Sequence, residues 1–438
     1  MAERVWTKAS KFCQSVRDGT HSSPKPSPNG RLLITSKHIV GGRVDTSSAY
    51  LISENEFNEI NKRSKVDQWD VLITMIGTVG DVCLVIDEPN YAIKNIGLFK
   101  TGGELEGRWL FNWLRSEEAK ALLHERLAGT TQAYISLGAL REFPVPLLPA
   151  ADMREVNILL GSLGSKIELN RRMNETMEAM AQAIFRDWFV DFGPVRRKMA
   201  GATDPVAIMG GLTPDPTRAT ELAALFPDAL DVDDLPMGWQ LLALSDVANQ
   251  TKGSINPQAL PDTVFEHYSL PAHDSGHGPA MDLGATIKSN KVPVPSGSVM
   301  LSKLNPEIPR VWIPNDEAGF PQIASTEFLV FKPKSGCSRG LLYFMFRDPT
   351  VRQILEGMVT GTSKSHQRIS PPALLQTKLV VGDGSAFGAF DEITEPMVKR
   401  LLALRAENRT LAETRDYLLP RLMSGEVRVG DATLEIAA

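Results

Sequence analysis

From Val156 onward, core-type positions recur in alternating steps of four and three: Leu160, Leu163, Ile167, Asn170, Asn174, Met177, Ala181, Ile184 and Trp188. A second ladder runs Phe390, Thr394, Met397, Leu401, Leu404, Asn408, Leu411, Arg415, Leu418 and Leu422. A 3.5-residue period sustained over several heptads is the seam of a helix that pairs with another helix. No Pro or Gly interrupts Ser165 to Asp191. The pattern predicts two long helices of about 35 residues, each about 50 Å long at 1.5 Å per residue. Paired with each other, they would hold two globular domains well apart; the alternative packs each on its own domain. Asn174 and Asn408 sit at matched seam positions and are the expected register pair, because a buried Asn costs stability but fixes partner and alignment.

The matching extends upstream. At a shift of 234, Asn174 falls on Asn408, Thr176 on Thr410 and Ile135-Ser136 on Ile369-Ser370. At a shift of 232, Arg115 falls on Arg347 and Gly129-Thr130 on Gly361-Thr362, a drift that small loop insertions produce. The chain therefore reads as one unit written twice. Each copy opens with strand-like runs, such as 70–76 and 82–86, or 298–301 and 328–331, rich in β-branched residues and bounded by turn formers. A helical stretch follows (107–127, 339–358), ended by Gly129 or Gly361. Then come a polar loop, a Pro-bearing extended segment (Phe143–Pro146, Ile369–Pro372) and the long helix. Between the copies, residues 199–237 are rich in Pro, Gly and acid and read as a surface linker with a short helix at Thr217–Leu225.

The chain has 438 residues, 42% apolar and 23% charged, which is ordinary globular usage. It contains no apolar run of about 18 residues, and its N-terminal stretch lacks the apolar core of a secretory signal. Cys13, Cys83 and Cys337 lie too far apart in sequence for a zinc motif or a disulfide framework. A soluble, reduced, cytoplasmic protein is expected. The net charge of −5 argues against a strongly basic nucleic-acid binder, but residues 199–237 hold seven acids against one base. The remainder is near +1, so local basic patches are compatible with the total.

Candidate chemistry is sparse. Gly77-Thr78-Val79-Gly80 has neither the spacing nor the context of a nucleotide-binding loop. His273-Asp274-Ser275-Gly276-His277 places two His four apart, but the glycines and Pro279 predict a loop rather than the helical face a metal would need. Nothing converges into a dyad or triad, and no metal site is predicted. The chain reads as non-catalytic. More informative are the loops after the domain helices, with Thr130, Thr131, Gln132 and Tyr134 in the first copy. The second copy offers Thr362, Ser363, Lys364, His366, Gln367 and Arg368. Hydroxyls, amides and cations suit phosphate contacts, and Gln and Arg also read base edges. Lys37, Arg43, Lys62, Arg63, Lys65, Lys288, Lys291 and Lys303 add cationic positions for a DNA surface.

The stretch AIFRDWFVDFGPVRRK (183–198) resembles the end of the central helix in specificity subunits of type I restriction–modification enzymes. LAETRDYLLPRLMSGEV (411–427) is similar to the end of their C-terminal helix. The resemblance implies an α+β fold: two similar target-recognition domains, of mixed sheet plus helices, separated by two long helices forming an antiparallel coiled coil. The boundaries would be 1–151 for the first recognition domain, 152–198 for the central helix and 199–237 for the linker. Residues 238–382 would form the second recognition domain, and 383–438 the C-terminal helix and tail. It further implies a DNA-reading adaptor for a bipartite, asymmetric site, with partners doing the catalysis. Those partners would be two adenine methyltransferase subunits using S-adenosylmethionine and, in the full complex, restriction/translocase subunits using ATP and Mg. No cofactor is expected on this chain. Phe185, Trp188, Phe189, Phe192, Leu418 and Leu419 become candidate partner anchors, since the aromatics exceed what one seam buries. The competing readings are a self-sufficient methyltransferase or nuclease with duplicated domains, and a coiled-coil scaffold without DNA.

Overall fold

A computed structural model describes the chain outside residues 1–4, 130–132, 277, 318, 361–366 and 433–438. The chain divides into two compact units, residues 1–168 with 410–438 and residues 169–409. The helices α1 (Ala150–Phe189) and α2 (Gly384–Met423) have 40 residues each, about 60 Å of helix. The sequence-based boundaries put each helix in a segment of its own; the unit boundaries instead fall inside both helices.

In the first unit, an antiparallel sheet runs in the order Ser15–Asp18, Ile96–Lys100, Val71–Thr74, Val82–Leu84. Side chains alternate across it with period two. Val71, Ile73 and Phe99 meet Trp109 and Trp113 on one face. On the other, Leu72, Cys83 and Leu98 meet Ile34 and Ile93 of a three-stranded sheet. The outer side of that second sheet carries Leu33, Ile52 and Ala92, covered by Phe57 and Ile60 of helix Glu54–Ser64. The indole nitrogens of Trp109 and Trp113 donate to the carbonyls of Pro146 and Pro144, each at 2.8 Å. A buried indole needs such an acceptor, and the Pro-bearing strand Pro144–Leu147 supplies it while pairing, among the described residues, with Val5–Lys8 alone. Val156 and Leu160 of α1 join the same core as Leu418, Leu422 and Met423 of α2. The start of one helix thus meets the end of the other.

The second unit repeats the plan. Its first sheet runs Ala248–Gln250, Phe328–Pro333, Val299–Ser302, Val311–Trp312, again antiparallel. Its second sheet contains one parallel pair, Val264–Tyr268 with Gln322–Ala324, as Arg31–Ile34 pairs in parallel with Tyr91–Ile93 in the first unit. Strand Gln240–Ala243 pairs with Lys378–Gly382 as Val5–Lys8 pairs with Pro144–Leu147. Even the break in the domain helix recurs. Ser116 caps helix Glu117–His124 in one unit and Asp348 caps helix Pro349–Gly357 in the other. In this unit the end of α1 (Ala181, Ile184, Phe185) shares a core with the start of α2 (Phe390, Val398, Leu401). Most positions that the 3.5-residue ladder marked are buried: Val156, Leu160, Leu163, Asn170, Asn174, Ala181, Ile184 and Trp188, with Phe390, Thr394, Leu401, Leu404, Leu418 and Leu422. Ile167, Met177, Met397, Asn408, Leu411 and Arg415 are half-buried.

Several local expectations change. Pro371-Pro372 does not extend the chain; the two prolines open helix Pro371–Gln376, where the missing N–H costs nothing. The extended segment comes later, at Lys378–Gly382. Gly129 lies beyond the helix end at His124, in a left-handed turn. Residues 199–237 are no loose surface linker. Ile208, Met209, Leu222, Ala223 and Phe226 are buried in the second unit's core. The Lys198 ammonium donates to the carbonyls of Ala223 and Phe226. That places a cation at the C-terminus of helix Pro216–Ala224, where the helix dipole favours it. The short helix expected at 217–225 is present there. Among the described residues, no helix is long and apolar enough to cross a membrane.

Candidate nucleic-acid interface

The expected cationic residues of the first unit are exposed, and most are already paired. Arg43 donates to Glu168 at 2.6 Å, Lys65 meets Asp67 at 2.9 Å, Lys62 pairs with Glu59 and Arg63 with Asp18. Lys37 is exposed in a short turn of helix at Ser36–His38. Tyr134 is exposed, with its backbone paired in both directions to Ala128. Thr130, Thr131 and Gln132 lie outside the described residues, as do Thr362, Ser363, Lys364 and His366.

In the second unit Lys288 is exposed and Lys303 half-buried. Lys291 is buried, its ammonium donating to the carbonyl and hydroxyl of Ser289 at 3.0 and 2.6 Å. Burial holds this ammonium below the usual lysine range. That is a correction: Lys291 is a local tie and not a surface cation. Arg368 forms a two-pronged pair with Glu327 at 3.0 and 3.1 Å, and Gln367 is half-buried beside it.

The structure joins two of these expected cations, Lys62 and Arg63, to two that the sequence did not single out. Arg17, Lys62, Arg63 and Arg141 line one concavity around Asp18. Asp18 ends the edge strand Ser15–Asp18 and is itself buried. One of its oxygens takes Arg63; the other lies 3.0 Å from His21 Nε2. Arg17 reaches the carbonyl of Arg63 at 2.7 Å and Arg141 that of Val16 at 3.3 Å. His21 Nδ1 sits 2.9 Å from the Asn95 side-chain oxygen, and Lys94 donates to Ser23 at 2.6 Å. Gly19 is required here, since a Cβ would stand 2.4 Å from the Ile93 carbonyl oxygen. Arg17 and Arg141 escaped the sequence reading because each is a lone charge in an unremarkable run.

The candidate anchors prove to be core. Phe185, Trp188, Phe189 and Phe192 pack with Phe226, Trp239, Phe387 and Phe390 inside the second unit. Leu418 and Leu419 are buried in the first. The surplus aromatic area is covered by the segment that was read as a linker, so these side chains are not exposed for a partner. The FGPVRRK stretch has a local reason too. Phe192 takes a left-handed conformation, and Asp187 holds Arg197 by two bonds of 2.9 and 2.7 Å. A Cβ on Gly193 would come within 1.9 Å of the Asp187 carboxylate. The large apolar side chains that α1 does expose are Ile158, Leu169, Met173 and Met180.

The register pair also shifts. Asn170, fully buried, donates to Asn408 at 3.0 Å and to Glu407 at 2.8 Å, whereas the buried Asn174 oxygen has no hydrogen-bond partner. His273 and Asp274 are helical, within Leu270–Ser275, and not in a loop. His273 stacks edge-on against Trp312 at 5.0 Å, and burial pushes its pKa down. Arg310 grips Asp274 at 2.7 and 2.8 Å and holds its carboxyl below the usual range. His277 lies outside the described residues. Among the described residues, no group of three or more His, Cys, Asp or Glu is arranged to hold a metal ion. Cys13 and Cys83 are free and buried, and desolvation pushes each thiol up to about 12.

Comparison with known proteins follows the same line. No family model matches the chain. It is 26% identical over 312 residues to the HindI specificity subunit, a type I restriction enzyme component of Haemophilus influenzae. That match covers 61% of this chain and 66% of the relative, just under two thirds of its length. The chain is also 20% identical over 374 residues to the MjaIX specificity subunit of Methanocaldococcus jannaschii, covering 82% of this chain and 78% of that one. The curated relatives it resembles are thus type I specificity subunits. A crystal structure of the type I restriction–modification S subunit from M. genitalium shares the fold, with a TM-score of 0.53 at 13% identity over 96% of this chain and 97% of that one. The resemblance read from the two helix ends thus extends to proteins matched over 61% and 82% of this chain, both named as specificity subunits.

Proposed function

We propose that the chain is the DNA-reading component of a type I restriction–modification complex. In this reading each unit reads one half of a bipartite, asymmetric site, and α1 and α2, which run from one unit into the other, set the unread spacer. The observation that carries the proposal is the repetition of one strand order in two units whose surfaces differ. Two copies of one scaffold with different side chains suit two different half-sites. Polar and cationic side chains outside the core of each unit suit phosphate positioning and base-edge contact. Catalysis belongs to partners: two adenine methyltransferase subunits carrying S-adenosylmethionine, and restriction/translocase subunits carrying ATP and Mg in the full complex. Partner subunits that also grip the duplex would supply much of the electrostatic affinity, which fits a chain of net charge −5.

The test is long-read mapping of methylated adenines in the host with and without this gene. The expected result is a single two-part motif that vanishes on deletion and returns on complementation. An unchanged methylation map would contradict the proposal.

A further inference from the structure

We infer that the concavity at the edge strand of the first unit is a binding site for the phosphate backbone of duplex DNA, with Arg17 and Arg141 as its principal contacts. The inference rests on the functional reading above and adds the residues and the chemistry of one contact. Four cations, Arg17, Lys62, Arg63 and Arg141, line a single concave surface. Asp18 takes Arg63 and Glu59 takes Lys62, while Glu142, next to Arg141 in the chain, is held by Lys8. Both Asp18 oxygens are engaged, the second by His21. Arg17 and Arg141 then remain without a carboxylate partner among the described residues.

Each of these two guanidiniums is steadied by a backbone carbonyl, that of Arg63 for Arg17 and that of Val16 for Arg141. Arg17 also donates to Ser15 at 3.1 Å. A guanidinium has five N–H donors, so donors remain on both for a bound anion. The carbonyl anchors restrict long side chains before any ligand arrives, which lowers the ordering cost of binding. A polar run continues from Asp18 through His21 to Asn95, with Lys94 on Ser23 beside it. An elongated polyanion matches this continuity better than a small one. Ser15–Asp18 is also an edge strand, where charges that block strand pairing are common. That role needs no concave convergence of four cations.

The test uses the full-length chain and a mixed-sequence DNA duplex, with affinity measured by fluorescence anisotropy over a range of KCl concentrations. Arg17→Gln and Arg141→Gln should each reduce the slope of log K against log salt by about 1, and together by about 2. Arg17→Lys should keep the slope. Lys120→Gln, a cation held by Glu117 elsewhere in the unit, should leave it unchanged. Thermal melts of the exposed-arginine variants should match the parent and exclude misfolding. An unchanged slope in the double variant, with the methylated motif intact in the host, overturns this site and leaves the functional reading standing. Saturable binding of inorganic phosphate that is lost in Arg17→Gln while the DNA slope stays unchanged assigns a small-anion site and likewise overturns it. Loss of binding to an acidic protein partner without any change in DNA slope does the same. A parent chain with no salt-dependent DNA binding and no methylated motif would sink the functional reading itself.

Discussion

The strands Ser15–Asp18 and Ala248–Gln250 hold the same place in the same strand order, at the edge of the first sheet of each unit. One gathers cations on its outer side; the other presents Asn249 and Gln250. The second sheets diverge in the opposite sense. Leu32 pairs with Tyr91 in the first unit as Glu266 pairs with Gln322 in the second. Where the first unit has an apolar side chain, the second buries a carboxylate, held by Arg409 at 2.7 Å, Gln322 at 2.9 Å and Tyr268 at 3.1 Å. At these two places the first unit carries an ionic cluster at the surface and the second carries one inside. Strand order survives both changes because it is set by alternating apolar faces, which the two units share. Surfaces and single buried pairs are free to differ, which suits the proposal that the two units read different half-sites.

The shared core is the part to break first. Trp109→Ala in the first unit should cost about 3–5 kcal/mol, and Leu341→Ala at the matching position of the second about 2–5 kcal/mol, in denaturant unfolding. A small cost in one unit alone would mean the repeated core is not built equally. Next comes the buried ion cluster. Glu266→Ala should destabilise by about 3 kcal/mol because it strips Arg409 of its partner, whereas Glu266→Leu with Arg409→Leu should recover most of that loss and make the second unit resemble the first. The seam gives a smaller, asymmetric effect. Asn170→Ala should cost about 1–3 kcal/mol through its buried hydrogen bonds, while Asn174→Leu should be close to neutral, since no bond is lost.

The smallest effect is in pH dependence, and its sign should differ between units. Arg310 lowers the Asp274 carboxyl, so its contribution is present above the ordinary carboxylate range and is lost as pH falls through the lowered value. Burial raises the Asp70 carboxyl in spite of Lys100, so its protonation on acidification favours the folded state. Asp274→Asn should flatten the acid limb of stability, and Asp70→Asn should steepen it, in denaturation followed against pH.

The long helices were legible because a 3.5-residue period survives any detail of what they pack against. The duplication was legible for the same reason: matched residues recur in order. Partner choice across the seam was not. Matching the copies by sequence shift aligns Asn174 with Asn408, but antiparallel helices bring Asn408 to Asn170. The segment 199–237 misled because its Pro and Gly signal turns correctly while its few apolar anchors, such as Met209 and Phe226, are too sparse to show a period. With that segment taken as solvated, the aromatic band of 185–192 had nothing to cover it and read as a docking surface. The cationic concavity depends on residues 17, 62, 63 and 141 meeting in space. Of these, Lys62 and Arg63 showed as a charge run, and Arg17 and Arg141 carried no local signal.

The central claim is that two copies of one scaffold read separately. Replacing residues 1–150 with the corresponding segment of another type I specificity subunit, followed by adenine-methylation mapping, tests it most directly. One half of the motif should change while the other half and the spacer stay as they were. A change in both halves, or in neither, would contradict the account.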